Sequence, residues 1–414
     1  MKNKIFARSF AFVTVLGLVA ASAFAQSAAN FKSAKADVHA VSRLAFGPDG
    51  VLFVGDSLQG MIFAIDTQDK QAPLAEVKID VKGINGKIAA MLGTEADQIL
   101  INDLKVNPIS KKVYMALSRG RGPDGVPVLL RLDSSGKIEQ FSFDNVRFDA
   151  VSLTDLPESK PNAAPVAGRT AAGSGATSGN PRTQAISDLA YADGKVFVSG
   201  LTNEEFSSDL RVVPYPFEGP VKGAGIKIWH SAHGRYETAS PIQAFVPYTI
   251  DKQPQILASY FCTPLVKIPI KDLKPGSKVM GTTIAEMGSG SRPLDMVAYR
   301  KDGHEYILMS NTTRGVMKFQ ADNLDMFKPI TPPSAACEVT EPARGGNSCQ
   351  EEMIGVPYQK IENLKGVWQL AKLDDTHALV LADSEGTLKL GAGQATWFNV
   401  QEGRSLDLTT VILP

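Results

Sequence analysis

A weak internal repeat constrains the fold of this chain more than any other feature. Its clearest unit has a β-rich run from Arg43, an Asp49-Gly50 turn, a second run over residues 51–56 and a third over 60–66. The same order of run, tight turn and run recurs later in the chain, which is the signature of a repeat architecture. The further units begin at Asp103, Asp188, Ile242, Asp295 and Gln369.

Short β-rich runs joined by Asp-Gly or Asn-Pro turns predict antiparallel meanders. Repeated sheets of this kind protect their edges by closing into a ring. We therefore predict an all-β fold, a β-propeller with six blades of four-stranded antiparallel sheets. A seventh blade remains an alternative, because six blades that share the whole chain would each contain more residues than a blade usually has. Two separate β-sandwiches are the alternative, but the repeat spreads from residue 43 to residue 382.

The segments LAFGPDGVLFVGDS and GMIFAID, within residues 43–66, resemble blades of the NHL and gluconolactonase-like six-bladed propellers. The match is to the pattern of the blade, so it implies the fold and not an activity. Related propellers include lactonases that hold Ca²⁺ at the pore with a Glu, an Asn and an Asp. Those ligands have no residue-by-residue match in this sequence, so that chemistry is not carried over.

The N-terminus has the three-part layout of a secretory signal peptide. Lys2, Lys4 and Arg8 precede an apolar run over residues 10–19, and Ala23-Phe24-Ala25 is a small-x-small cleavage site. We expect cleavage after Ala25, a periplasmic or secreted protein and one propeller domain over residues 26–414. No second apolar span follows, so we expect no membrane span after cleavage.

Charge and cysteine content bear on partners and on cross-links. Without residues 1–25 the chain has 40 basic against 43 acidic residues, which argues against nucleic acid as a partner. An oxidising compartment permits a disulfide between Cys337 and Cys349, closing a loop near 330–352, and leaves Cys262 unpaired. The segment near 160–182 is rich in Ala, Gly, Ser and Pro, so we expect a disordered insertion. A short helix is predicted over residues 86–93.

Blade geometry predicts which residues meet at one mouth of the central channel, here called the top face. First strands begin at this face and second strands return to it. The ligand-binding candidates at the mouth are therefore Arg43, Asp103, Asp188, Asp295, Asn203, Asn311 and Arg314. Converging carboxylates repel, so they need a cation such as Ca²⁺, or arginines such as Arg43, Arg292 and Arg314. The alternative is that each Asp binds backbone N–H groups of a neighbouring blade.

A second group of candidates lies in the divergent fourth unit, which begins at Ile242, and in the segment that leads into it. His230 and His233 precede that unit, and Cys262 ends its second strand, so all three side chains are expected at the top face. A thiolate with two imidazoles is a ligand set for Zn²⁺ or copper. A cysteine beside a histidine can also act as a nucleophile. A buried free cysteine and an incidental His-x-x-His are the alternative.

The sequence contains no complete catalytic motif, so it leaves open whether the protein is an enzyme. The leading hypothesis is an exported, monomeric propeller that presents its top face to a small molecule or a protein. One alternative is a Ca²⁺-dependent lactonase or related hydrolase at the channel mouth. The other is a protein that handles Zn²⁺ or copper.

Overall fold

The fold is described from a computed structural model, which describes residues 30–121, 125–160, 180–262, 264–288, 291–332, 354–387, 401 and 403–414. Residues 1–25, most of the predicted insertion, and Cys337 and Cys349 lie outside these ranges, so the signal peptide and the disulfide stay predictions. Within the described residues, no helix has the length and hydrophobicity that crossing a membrane requires.

The described chain consists mostly of short strands, numbered here in chain order. The first fourteen are β1 Lys32–Ala34, β2 Arg43–Phe46, β3 Val51–Asp56, β4 Met61–Asp66, β5 Asp80–Val81, β6 Ile99–Val106, β7 Val113–Arg119, β8 Val126–Leu132, β9 Ile138–Phe141, β10 Val146–Ser152, β11 Asp188–Ala192, β12 Lys195–Leu201, β13 Ser208–Pro214 and β14 Ala224–His230. The others are β15 Arg235–Glu237, β16 Ile242–Ile250, β17 Gln253–Tyr260, β18 Pro264–Pro269, β19 Lys278–Met280, β20 Thr282–Glu286, β21 Pro293–Lys301, β22 His304–Asn311, β23 Gly315–Gln320, β24 Ile354–Gly355, β25 Gln359–Lys360, β26 Val367–Lys372, β27 His377–Asp383 and β28 Leu406–Ile412. One α-helix, α1, spans Ile84–Leu92 and ends at Gly93, which confirms the predicted helix.

These strands form six antiparallel sheets arranged in a ring, so the predicted six-bladed propeller is confirmed. Each blade has a core of four strands. Blade 1 contains β2, β3, β4 and β10, with β1 at its edge, and blade 2 contains β6 to β9. Blade 3 contains β11 to β14, extended by β15 and by β19, and blade 4 contains β16, β17, β18 and β20, extended by β24. Blade 5 contains β21, β22, β23 and β25, and blade 6 contains β26, β27, β28 and β5.

The hairpins follow from their turn residues. The loops Asp193-Gly194 and Asp302-Gly303 each join two strands directly, and all four residues have positive φ. This is the type I′ geometry, whose twist matches that of the strands, and Asp-Gly is among its preferred sequences. The turn residues therefore set the register between first and second strands, as the repeat predicted.

The order of blades around the ring differs from their order along the chain. The first strands touch in the order β2, β11, β16, β21, β26, β6 and back to β2, so blade 2 lies between blades 6 and 1. β10, which belongs to blade 1, follows the strands of blade 2 in the chain. β5, which belongs to blade 6, precedes the strands of blade 2. Two strands from early in the chain therefore join the blades that flank blade 2 and close the ring.

Apolar clusters fill the spaces between neighbouring blades. Between blades 2 and 6, for example, Leu104 and Met115 pack in one cluster with Leu379 and Leu408, and α1 contributes Ile84. Strands such as β3 are buried along their whole length, because other blades cover both of their faces. These apolar clusters hold neighbouring blades together, and the packing positions the ends of their strands.

Candidate functional site

Asp103, Asp188 and Asp295 occupy equivalent positions on the first strands of blades 2, 3 and 5. Each side chain accepts the N–H group of the next residue through one oxygen and a backbone N–H of an adjacent blade through the other. The inter-blade bonds are Asp103 to Leu44 N at 2.8 Å, Asp188 to Phe245 N at 3.0 Å and Asp295 to Leu370 N at 3.0 Å. The geometry favours the alternative in which these carboxylates link blades.

Lys105 supplies a cation to this carboxylate ring, and the charge of Arg43 also acts on Asp188. The Nζ of Lys105 lies 3.1 Å from Asp103 Oδ1 and 3.8 Å from Asp295 Oδ2. Burial opposes the charge of the lysine, but the three carboxylates raise its pKa above the usual range. Burial also raises the pKa of Asp188 to about 7, although the charge of Lys105 opposes this. Lys105 was not among the sequence candidates, although it faces the same side of β6 as Asp103, two residues away.

In blade 4, the residue equivalent to the three carboxylates differs by one position from the expected one. The pairing of β16 with β17 slips between Ile242 and Ala244, and similar slips precede Asp103, Asp295 and Gln369 in their blades. The residue of blade 4 that corresponds to the three carboxylates is therefore Ala244, where sequence alignment of the units suggests Gln243. Because the same slip occurs in all four blades, the difference comes from the alignment of this divergent unit, which has no Asp at the position.

Below the ring, in the direction in which the first strands run, lies a cavity of about 240 Å³. Asp188, Asp295 and Lys105 line it at the ring. Its other walls include the apolar Ala45, Ala190, Val246 and Val297. Ca²⁺ prefers a cage of six to eight oxygens, and here all six carboxylate oxygens already accept backbone N–H groups. The ring therefore gives the Ca²⁺ hypothesis no support.

The other candidates at the mouth bond mainly to backbone. Arg43 donates to the carbonyl groups of Ser187, Ser42 and Asn102, which belong to blades 1, 2 and 3 or to the segments leading into them. Asn311 is buried, and its Oδ1 accepts the N–H groups of Thr313 and Arg314 in the turn after β22.

Two candidates lie in loops away from the ring. Asn203 is exposed in the loop after β12, where its N–H donates to the carbonyl of Asp155 at 3.0 Å. Arg314 lies in the turn after β22, against Gly288. The structure therefore brings the three carboxylates together with Arg43, and does not bring Asn203 or Arg314 to them.

His230, His233 and Cys262 do converge. His230 ends β14 of blade 3, His233 lies in the helical turn Ser231–His233, and Cys262 lies in the turn between β17 and β18 of blade 4. One ligand atom of each residue lies within 4.8 Å of the others. Cys262 is buried and has a φ of 60°, a left-handed conformation that is uncommon outside glycine. We call these three residues the His–Cys cluster.

Glu237 on β15 holds both imidazoles of the His–Cys cluster. Its two oxygens lie 2.8 Å from Nδ1 of His230 and 2.7 Å from Nδ1 of His233, and Arg235 pairs with the same carboxylate at 3.1 Å. Each Nδ1 is thereby occupied, which leaves the Nε2 atoms to face a ligand. A carboxylate on the far nitrogen is the usual way in which proteins orient metal-binding histidines.

Contacts within the cluster and with Glu237 move the pKa values of these side chains away from those of isolated residues. Burial opposes protonation of His233, but hydrogen bonds to Cys262 and Glu237 raise its pKa to about 9. Burial lowers the pKa of His230, against the effect of Glu237. Burial raises the pKa of Glu237 in turn, but its bonds to the two histidines outweigh this and lower the pKa below the usual range. His230 Nε2 is buried and has no hydrogen-bond partner among the described residues.

Glu286, the last residue of β20, lies against the same helical turn. Its Oε1 accepts the N–H of Ser231 at 2.7 Å, and burial raises the pKa of its carboxyl to about 8. Sequence reasoning missed both Glu237 and Glu286. Glu237 is only four residues from His233, so its proximity was a usable signal, whereas Glu286 reaches the turn from another blade and left no signal.

No protein-family model and no curated protein sequence matches the chain. Similar solved structures include a Thermus thermophilus oxidoreductase described as a glucose dehydrogenase, 13% identical over 92% of this chain and 99% of that chain, with a TM-score of 0.32. Another is the PQQ-bound aldose sugar dehydrogenase of Streptomyces coelicolor, 11% identical over 92% and 97% of the two chains, with a TM-score of 0.29. At these low identities and TM-scores, the similarity carries no argument about activity.

Proposed function

We propose that this protein is an exported β-propeller that binds a transition-metal ion, Zn²⁺ or copper, through His230, His233 and Cys262. One observation carries the proposal. Three ligand atoms from two blades lie within 4.8 Å, and Glu237 orients both imidazoles from behind. Nitrogen and thiolate sulfur are the ligands that these two metals prefer.

The predicted export of the protein supports the interpretation of Cys262 as a metal ligand. The sequence of residues 1–25 predicts secretion, and an unpaired cysteine in an oxidising compartment has to be buried, ligated or reactive. N-terminal sequencing of the protein recovered from the producing cell tests this part, with Gln26 expected as the first residue. The binding of a small molecule or protein at the top face stays a prediction.

The test of metal binding uses the mature protein purified without chelator. We expect it to bind one equivalent of Zn²⁺ or copper, and we expect Cys262→Ser and His233→Gln to lose that equivalent. His304→Gln is the matched control, because His304 is exposed at the start of β22 and pairs with Asp322. Less than stoichiometric metal in the wild-type protein, or equal loss in the His304 variant, would contradict the proposal.

The lactonase alternative makes a different prediction for the same protein. It requires Ca²⁺ at the channel mouth, where Lys105 already neutralises part of the carboxylate charge. We expect millimolar Ca²⁺ to leave the thermal unfolding midpoint unchanged. A rise of that midpoint that Asp188→Asn abolishes would favour the lactonase alternative over the metal-handling one.

A further inference from the structure

The cavity below the carboxylate ring lies on the axis of the propeller. It has a volume of about 240 Å³, and residues from the first strands of all six blades line it, namely from β2, β6, β11, β16, β21 and β26. Lys372 is among these residues and is the last residue of β26, and its side chain is 43% exposed. The cavity therefore opens to solvent where the first strands end, here called the bottom face.

The carboxylate ring closes the other end of the cavity and makes that end polar. The side chain of Lys105 is 22% exposed, whereas those of Asp103 and Asp295 are 4% and 9% exposed. Among these three, the ammonium of Lys105 is therefore the charged group most accessible from the cavity, which it lines. It donates one hydrogen bond to Asp103 at 3.1 Å, and an ammonium has three N–H donors. The ring itself needs no ligand, but Lys105 has donors left for an oxygen atom in the cavity.

Away from the ring, the walls of the cavity are mainly apolar. They include Ala45, Ala190, Val246, Val297 and Ala371. Ala190 and Val297 are only partly buried, although each lies inside a first strand with other blades around it, so their exposed surface faces the cavity. Water beside such walls has few hydrogen-bond partners, and an apolar group that displaces poorly ordered water gains free energy.

We propose that this cavity binds a small, neutral organic molecule that enters from the bottom face. Its apolar body packs against the walls, and an oxygen atom of its head accepts a hydrogen bond from Lys105. Mainly apolar walls with a few placed polar groups are typical of ligand sites. A charged head is disfavoured, because it loses its hydration and meets groups of both signs at the ring. The site is separate from the His–Cys cluster, so the inference does not depend on the proposed metal.

The test uses cyclohexanol, cyclohexylammonium and cyclohexanecarboxylate, which share one apolar ring and differ in the charge of the head. Each probe is titrated at pH 7 into the full mature protein, labelled with ¹³C at its valine methyl groups. We expect cyclohexanol to bind saturably and to shift the methyl resonances of Val246 and Val297. We expect both charged probes to bind at least about 10-fold more weakly, because their heads lose hydration in the cavity.

Two variants that fill the cavity locate the bound probe. Ala190→Phe and Val297→Phe should each weaken cyclohexanol binding at least about 10-fold, because the new ring occupies the space of the ligand. Ala150→Phe is the control, since Ala150 is also partly buried but lies on β10, the fourth strand of blade 1 from the axis. Denaturant unfolding shows which variants fold, and one folded, filled variant is sufficient.

Three results would overturn the inference. The first is that cyclohexanol does not bind saturably or leaves the resonances of Val246 and Val297 unshifted, which the wild-type protein decides even if no filled variant folds. The second is that a charged probe binds as tightly as cyclohexanol. The third is wild-type affinity in a folded, filled variant, because the probe then binds elsewhere.

Discussion

The carboxylate ring and the His–Cys cluster both gather titratable side chains from several blades, yet they differ in what the protein itself supplies. In the ring, every carboxylate oxygen accepts a backbone N–H, and Lys105 supplies a cation. In the cluster, Glu237 completes one side of each imidazole, while His230 Nε2 remains without a partner in the described residues.

The comparison shows that convergence of charged residues does not by itself mark a site. The ring is complete without a ligand, so its residues link blades, whereas the cluster has atoms left over that a cation would satisfy. The following predictions test this contrast, from the largest expected effect to the smallest.

Lys105→Met should produce the largest loss of stability. It removes the cation from among three buried carboxylates, and breaking a buried ion pair from one side costs about 3–5 kcal/mol. The measurement is the free energy of unfolding by denaturant at pH 7. Lys372→Met is the control, since this lysine is half exposed and pairs with the exposed Asp375. Equal stabilities of the two variants would mean that Lys105 does not hold the ring.

Asp188→Asn should change how stability depends on pH. The pKa of Asp188 is about 7 in the folded protein and about 3.8 in an unfolded chain, so the proton that it keeps stabilises the fold at low pH. That contribution is lost as the pH rises through 7. The variant's unfolding free energy is lower than that of wild type, and this difference should therefore shrink by on the order of 2–4 kcal/mol between pH 4 and pH 8.

Denaturant unfolding of both proteins across this pH range measures that deficit. Asp375→Asn, at an exposed position, should differ from wild type by the same small amount at every pH. A deficit of Asp188→Asn that stays constant, or grows with pH, would place its pKa near the unfolded value and remove the argument for a strongly desolvated carboxyl in the ring.

Metal should stabilise the His–Cys cluster but not the ring. An ion that binds only the folded protein adds about 2.7 kcal/mol when present at 100 times its dissociation constant. We expect Zn²⁺ to raise the unfolding free energy of the wild-type protein by this amount and to have no effect on Cys262→Ser. If the cysteine variant gains as much as wild type, Zn²⁺ binds elsewhere.

Asn311→Ala should have the smallest effect, a loss of about 1–2 kcal/mol, because it leaves two N–H groups of a turn without their acceptor. Thr313→Ala, at an exposed position of the same turn, is the control and should be near neutral. Metal content should be unchanged in both variants. Loss of a ligand or metal in Asn311→Ala would return this residue to the list of binding residues at the mouth.

Most of the fold was predictable because it depends on local preferences. The pairs Asp193-Gly194 and Asp302-Gly303 select type I′ turns, and the spacing of β-rich runs indicates the blades. The equivalence of Asp103, Asp188 and Asp295 also followed from the repeat. The equivalence of Gln243 did not hold, because this divergent unit has no Asp at that position to align it, and pairing with β17 shows that Ala244 is the equivalent residue.

The candidate site was predictable only in part. The convergence of His230, His233 and Cys262 followed from which strand ends lie at the top face. The roles of the three Asp could not be chosen from sequence, because the choice depends on which N–H groups and which cation reach them. Lys105 lies two residues from Asp103 on β6, which was a usable signal. Its contact with Asp295 and that of Glu286 with Ser231 cross blade boundaries, and such contacts leave no pattern along the chain.

The sequence by itself thus determined that this protein closes short antiparallel sheets into a ring of six blades. Only the tertiary structure decided the order of the blades, with blade 2 between blades 6 and 1, and the partners of each buried charge. Turns and strands form from residues a few positions apart, whereas ring closure and charge pairing join residues that can lie hundreds of positions apart. Glu286 contacts the turn of His230 and His233 from 55 residues away, across a blade boundary.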